Sequence, residues 1–242
     1  MNYKLIISYN GTNYFGFAKQ NNQVTIEQTL LNTFKELFNI NVKLFGSGRT
    51  DKYVHAIKQV INVRHDKLNY EPNILLKALN SKLPTDIIVR ECEIVSDKFH
   101  ARFSAKNKTY LYKINMCSNF NVFEKDIVYQ YNKNIDFDKL KKFSNIIKGE
   151  HNFLSFSTSE LENTIRTIYD FSFEIKNEIL EIKVVGNGFL RNMVRMLIGV
   201  FLDWNEGKIN SSDIVSLLEN PKKGAGIRKV NGCGLYLLEV SY

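Results

Sequence analysis

Residues 167–186 read TIYDFSFEIKNEILEIKVVG, two strand-like runs on either side of Lys176-Asn177-Glu178. Alternation at period two puts one face of each run against a core, and so short a polar break leaves room only for a hairpin, so these strands are antiparallel neighbours. A hairpin of this kind excludes a purely parallel sheet. Around it, helix-period segments alternate with strand-like runs. Tyr3–Tyr9 alternates like a strand, and VTIEQTLLNTFKELFN reads as a helix, with Thr25 and Gln28 forming a capping box and Ile26, Leu30, Phe34, Leu37 and Phe38 on one face. Pro72 fits the first turn of a helix over 71–82, and strands follow at 86–95 and 110–115. After Met116 the pattern restarts with a helix near 136–148 that stops at Gly149, the hairpin, a long helix over 189–205, a short one opening at Ser211 or Ser212, and a last strand, GLYLLEVSY. Two successive αβ halves with hairpin-joined strands predict an α+β fold rather than parallel α/β. The break falls in the 105–120 window and is drawn as 1–110 and 111–242.

With 44% hydrophobic and 12% aromatic residues, 242 residues suffice for one large core or two small ones. The net charge of +8 fits a polyanionic partner, because Lys and Arg displace counterions condensed on a phosphate backbone, but it fits an ordinary basic protein equally well. Cys92, Cys117 and Cys233 are odd in number and form no CxxC pair, which argues against a disulfide framework or zinc cluster and fits a reducing cytoplasm. MNYKLIISYNG lacks the basic-then-apolar order of a signal peptide, and MLIGVFLDW is too short to cross a bilayer, so no membrane association is expected.

Three segments carry candidate chemistry. FGSGRTDKYVHA, residues 45–56, places Arg49 and Asp51 two apart on a loop whose glycines let the backbone approach something large. Its aspartate is a candidate nucleophile or base; His55 and Asp66 lack metal-ligand spacing, and an Asp that merely accepts backbone N–H bonds in a Gly-rich turn is the plainer reading. FHARFSAKNKTYLYKI, residues 99–114, interleaves Phe99, Phe103, Tyr110 and Tyr112 with Arg102, Lys106, Lys108 and Lys113, the mixture that stacks bases and tracks phosphates. Tyr110 and Tyr112 point the same way on a strand, so they share one fate and can equally face the core. GNGFLRNMVRMLIG, residues 186–199, opens a helix on which Arg191, Arg195, Gly199 and Asp203 form one stripe. That stripe faces water unless Arg195 approaches Asp51, where a guanidinium would hold the carboxylate ionised. His100, His151 and Trp204 read as structural.

GSGRTDKYVHA resembles the G-x-GRTD-x-x-VHA motif of the tRNA pseudouridine synthase A family, and the likeness extends to LIISYNGTNYFGF, LNSKLPTDIIV, FHARFSAKNKTYLY, GNGFLRNMVRMLIG and GLYLLEVSY, in order and over nearly the whole chain. The resemblance implies the pseudouridine synthase fold, with a central RNA-binding cleft, and isomerisation of uridine to pseudouridine at positions 38, 39 and 40 of the tRNA anticodon stem-loop. It implies a homodimer and a reaction that needs no cofactor or metal. Asp51 matches the catalytic aspartate, Arg49 the arginine that helps displace the flipped base, Tyr110 the tyrosine stacked on the uracil, Arg195 the arginine paired with the aspartate, and Leu235 the apolar residue beneath the site. Arg102, Lys106 and Lys108 would then hold phosphates. Lys52-Tyr53 replaces the usual Ala-Gly, so no glycine-only conformation is expected at 53; Phe17-Ala18 replaces Trp-Gln, and VNGC stands where a proline-bearing stretch is usual. Two other readings are a catalytically silent RNA-binding protein, against which the retained acid weighs, and a glycosidase, for which Asp51 lacks an evident second carboxylate.

Overall fold

In the computed structural model, which describes residues 1–117, 121–158, 160, 162–225 and 227–242, Tyr3, Leu5 and Ile7 are fully buried, as the alternation along the first strand requires. In chain order the elements are β1 (Asn2–Tyr9), α1 (Ile26–Phe38), β2 (Lys43–Gly46), β3 (His55–Arg64), α2 (Pro72–Asn80), β4 (Ile87–Val95) and β5 (Asn107–Asn115). They continue with β6 (Tyr129–Gln130), α3 (Phe137–Ile147), β7 (Gly149–Asn152), β8 (Ile165–Lys176), β9 (Ile179–Gly186), α4 (Met193–Asn205), α5 (Ser211–Glu219) and β10 (Leu235–Ser241). The fold is α+β, and the chain divides into two compact units, Met1–Lys106 with Tyr236–Tyr242, and Asn107–Leu235. A cut at 110/111 falls inside β5, and the last strand clusters with the first unit, because Tyr236 and Leu237 pair in parallel with His55 and Ala56. Residues 118–120, in the expected boundary window, lie outside the described ones.

In the first unit β1 lies between β3 and β4, antiparallel to both, and β2 pairs antiparallel with β3. Helix α1 buries Ile26, Leu30 and Phe34, while Leu37 and Phe38 are only partly covered. Thr25 caps it, its hydroxyl accepting from Gln28 N at 3.3 Å, but the Gln28 amide donates forward to Asn32 Oδ1 at 2.7 Å. Only half of the expected capping box is therefore present. The reciprocal box occurs instead at α5, between Asn210 and Asp213.

In the second unit β5, β9, β8 and β7 form an antiparallel succession, with the short β6 parallel to β5. Lys176 pairs with Ile179, so the hairpin loop is two residues long, Asn177 at φ 49° and Glu178 at φ 64°. Two successive left-handed residues match the right-handed twist of the flanking strands. Helix α4 begins at Met193, four residues after the expected 189, because Asn192 at φ 64° breaks the helical path.

Most of α4 is buried, and on the stripe expected to face water Gly199 is buried while Arg195 and Asp203 are partly covered. Arg195 Nε donates to Val230 O at 2.8 Å, a Cβ on Gly199 would stand 1.8 Å from Arg228 O, and Arg228 Nη1 lies 3.5 Å from Asp203 Oδ1. A segment spanning 228–230 thus runs along the stripe, leaving Arg191 as its exposed member. Arg228 is itself held by Glu206 at 2.8 Å and by the Tyr129 hydroxyl at 3.0 Å. No helix among the described residues is long and apolar enough to cross a membrane.

Because the neighbour at Gly199 is backbone, a methyl there has nowhere to go. Gly199→Ala is expected to lower stability by about 1–3 kcal/mol, read by urea denaturation, and an unchanged midpoint would contradict the close approach.

Candidate active site

Between β2 and β3 the chain turns through Ser47–Val54, and backbone groups at Ser47, Gly48, Thr50, Asp51 and Val54 are held by hydrogen bonds. Ser47 N donates to Val60 O at 2.8 Å, its hydroxyl to Gln59 Oε1 at 2.6 Å, and Gln59 Nε2 returns to Gly48 O at 3.0 Å. On the other side Phe17 N donates to Thr50 O at 3.0 Å, and the Tyr9 and Thr50 hydroxyls are 2.8 Å apart. Val54 N closes the turn on Asp51 O at 3.1 Å. Glycines let the N-terminal segment come this close: a Cβ on Gly11 would lie 2.1 Å from Val54 O, and one on Gly16, at φ 91°, 2.6 Å from Thr50 O. What results is a rigid loop that leaves Arg49 exposed and Asp51 half-buried.

Tyr53 adopts φ 67°. That is no glycine-only conformation, as expected, but it lies in the left-handed region that favours glycine, and a bulky residue occupies it at a steric cost of about 1–2 kcal/mol. His55 is buried, accepts from Gly11 N at Nδ1 (3.0 Å) and stacks on Tyr236 at 4.7 Å, so it braces the loop. Among the described residues no group of three or more His, Cys, Asp or Glu could hold a metal ion.

Tyr9 escaped the sequence reading because an aromatic at a strand end reads as core. Burial pushes its phenol up to about 12, with hydrogen bonds to Thr50 and Gln59 partly opposing the shift. Also in the first unit, Asn62 Oδ1 accepts from Ala101 N at 2.8 Å and fixes the FHARF segment, with Arg102 and Lys106 exposed at the surface. His100 is structural: its Nδ1 accepts from Arg102 N at 3.1 Å, and burial together with the Arg64 and Arg102 charges lowers its pKa. His151 contacts Lys148 O at 3.0 Å and Trp204 is buried, so both are structural as well.

In the second unit Tyr110 lies on β5 opposite Val184, buried, its ring edge-on to Phe189 at 5.1 Å. Tyr112 is buried too but donates to Asn231 O at 2.8 Å, so the two tyrosines share burial and not partners. Lys108 is partly covered on the same strand. Arg195 is oriented by Val230 O and by Asn192 Oδ1, 3.1 Å from its Nη1, and Asn192 is held in turn by Thr158 Oγ1 at 2.7 Å. The left-handed Asn192 that delays α4 is thus also the residue that aims Arg195. Leu235 is buried and follows Gly234, whose Cβ would stand 2.7 Å from Lys113 O.

The Tyr9 phenol gives a direct check on the loop. A pKa raised from the ordinary 10.0 contributes stability that is fully present below pH 10 and is lost as pH rises through about 12. Tyr9→Phe is expected to cost about 1 kcal/mol at neutral pH, with the gap to wild type closing between pH 10 and 12 in denaturant titrations. A gap that stays constant would contradict a buried, Thr50-bonded phenol.

The sequence pattern described as tRNA pseudouridine synthase matches residues 5–104 and 145–242. A tRNA pseudouridine synthase A of Malacoplasma penetrans is 48% identical, with 100% of each chain covered, and one of Ureaplasma urealyticum is 44% identical, again over 100% of both. A third, from Acetivibrio thermocellus, is 36% identical, covering 100% of this chain and 99% of its own. The solved structure titled Crystal Structure of a Cbf5-Nop10-Gar1 Complex covers 81% of this chain and 52% of its own at 10% identity and a TM-score of 0.34, a likeness too slight to carry an argument. On the matched pattern and the full-length relatives, this chain belongs to the tRNA pseudouridine synthase A family.

Proposed function

We propose that the protein is an isomerase that converts uridine to pseudouridine at positions 38, 39 and 40 of the tRNA anticodon stem-loop, with Asp51 as the catalytic group. The observation that carries this reading is the braced loop, which fixes the peptides on both sides of Asp51 and leaves its side chain half-exposed. A loop serving only to connect two strands needs no such bracing.

The reaction breaks the N1–C1′ bond, turns the uracil, and joins C5 to C1′; C5 gives up a proton and N1 gains one, so no electrons are exchanged with a cofactor. Flipping the target out of its stack costs a few kcal/mol, and stacking on the Tyr110 ring returns about 1–3 kcal/mol of it. Arg49, exposed beside Asp51, enters the vacated space in the stem-loop. Asp51 acts as an anion, attacking covalently or stabilising charge developing on the ribose, and the role assigned to Arg195 is to keep it ionised. Tyr110 supplies the phenol for proton transfer and Leu235 the apolar floor. Arg102, Lys106 and Lys108 hold phosphates without reading sequence, in a homodimer working on tRNA in the cytoplasm.

Incubation with unmodified tRNA bearing uridines in the anticodon arm, followed by mapping with a reagent that stops reverse transcription at pseudouridine, tests the reading. Product confined to 38–40 is expected, and product elsewhere or none would overturn it. Tyr110→Phe is expected to bind this tRNA with wild-type affinity and lose turnover by roughly 10²-fold or more. Unchanged turnover would remove the phenol from the proton transfer.

A further inference from the structure

We propose that Lys52, seated between the rings of Phe15 and Tyr53, holds an RNA backbone phosphate next to the target uridine. The Lys52 ammonium stands 4.1 Å from the centre of the Phe15 ring and 4.7 Å from that of Tyr53. Neither ring serves a core: Phe15 is 40% exposed and Tyr53 38%. Tyr53 holds its position in a left-handed backbone that disfavours a bulky side chain, and strain kept beside a candidate catalytic residue is characteristic of sites where the strained group has a task. Here that task is to place a π face against Lys52.

Two rings on an ammonium fix a flexible four-carbon stem without neutralising it. The charge stays available on its solvent side, one residue from Asp51 and on the same braced turn. A compact ammonium has no fork with which to read a base edge, so the matching ligand is a phosphate oxygen, contacted irrespective of sequence. Phe15 N donates to Val24 O at 2.9 Å, which ties that ring's backbone down next to the glycine that approaches Thr50. The whole device belongs to the first unit. It rests on the functional reading above, because it takes the anion to be the substrate's own backbone.

The test measures binding of an anticodon stem-loop RNA over a salt series by wild type, Lys52→Ala, Lys52→Arg and Tyr53→Gly, beside each protein's unfolding midpoint. Lys52→Ala is expected to weaken binding about five- to tenfold at low salt and to flatten the slope of log affinity against log salt by about 0.7–0.9, the loss of one phosphate contact. Lys52→Arg keeps affinity and slope. Tyr53→Gly is expected to weaken binding about threefold while raising the unfolding midpoint, two effects that a purely structural residue would not move in opposite senses. Unchanged affinity and slope in Lys52→Ala, a weaker affinity with an unchanged slope, or a shift in oligomeric state without loss of RNA binding would each overturn the proposal. The last outcome would assign the cluster to a second copy of the chain. Binding is read without turnover, so wild type that binds the stem-loop yet makes no pseudouridine defeats the functional reading and leaves the Lys52 result decisive.

Discussion

Two glycines touching one loop are the contact on which the course of that loop depends. Gly11 and Gly16 bring the N-terminal segment so close to Val54 O and Thr50 O that any side chain at either position would overlap backbone. That closeness lets Phe17 N reach Thr50 O, sets Tyr9 against the Thr50 hydroxyl and lets Gly11 N reach His55. On the function proposed for Asp51, a carboxylate meeting one atom of a flipped nucleotide would gain from such preorganisation, since the positioning is complete before substrate arrives. The same bracing explains how Tyr53 persists in a left-handed conformation: the turn around it is determined by its neighbours, and the residue conforms.

The second unit repeats this logic with a different device. Asn192, left-handed and anchored by Thr158, ends one path and starts α4, and the same side chain accepts from Arg195. Val230 takes the next donor of that guanidinium, and Gly199 admits the Arg228 carbonyl that keeps the 228–230 segment in place. Arg228 is tethered by Glu206, whose carboxyl is held well below the ordinary range, first by Lys133 and further by Arg228 and Lys208. The ion pairs thus secure the course of a backbone segment that orients an arginine.

What the sequence made legible follows from the range of the physics involved. The hairpin, the α+β class, the helix opened by Thr25 and the one opened by Pro72 are local, governed by period, caps and turn chemistry, and they were readable. Asp51, Arg49, Tyr110, Arg195 and Leu235 are proposed as a set only because several motifs occur in a family's order; the spacing around Asp51 alone fits a plain turn. The failures were tertiary. Nothing near Gln28 says that its amide turns towards Asn32, and nothing near α4 says that a segment some thirty residues later covers its polar stripe. The left-handed backbone at Tyr53 was not legible because a bulky residue normally signals its absence, and here contacts from residues 11 to 17 override that preference.

The central claim is that the braced loop exists to present Asp51 to a uridine. It is tested most directly with tRNA carrying tritium at uridine C5, since every turnover must release that hydrogen, in single-turnover reactions of wild type and Asp51→Asn. Release of label by wild type at the rate pseudouridine forms, with none from a folded, RNA-binding Asp51→Asn protein, is the predicted result. Comparable release from both would contradict the account, leaving the loop a braced turn whose aspartate has no part in the chemistry.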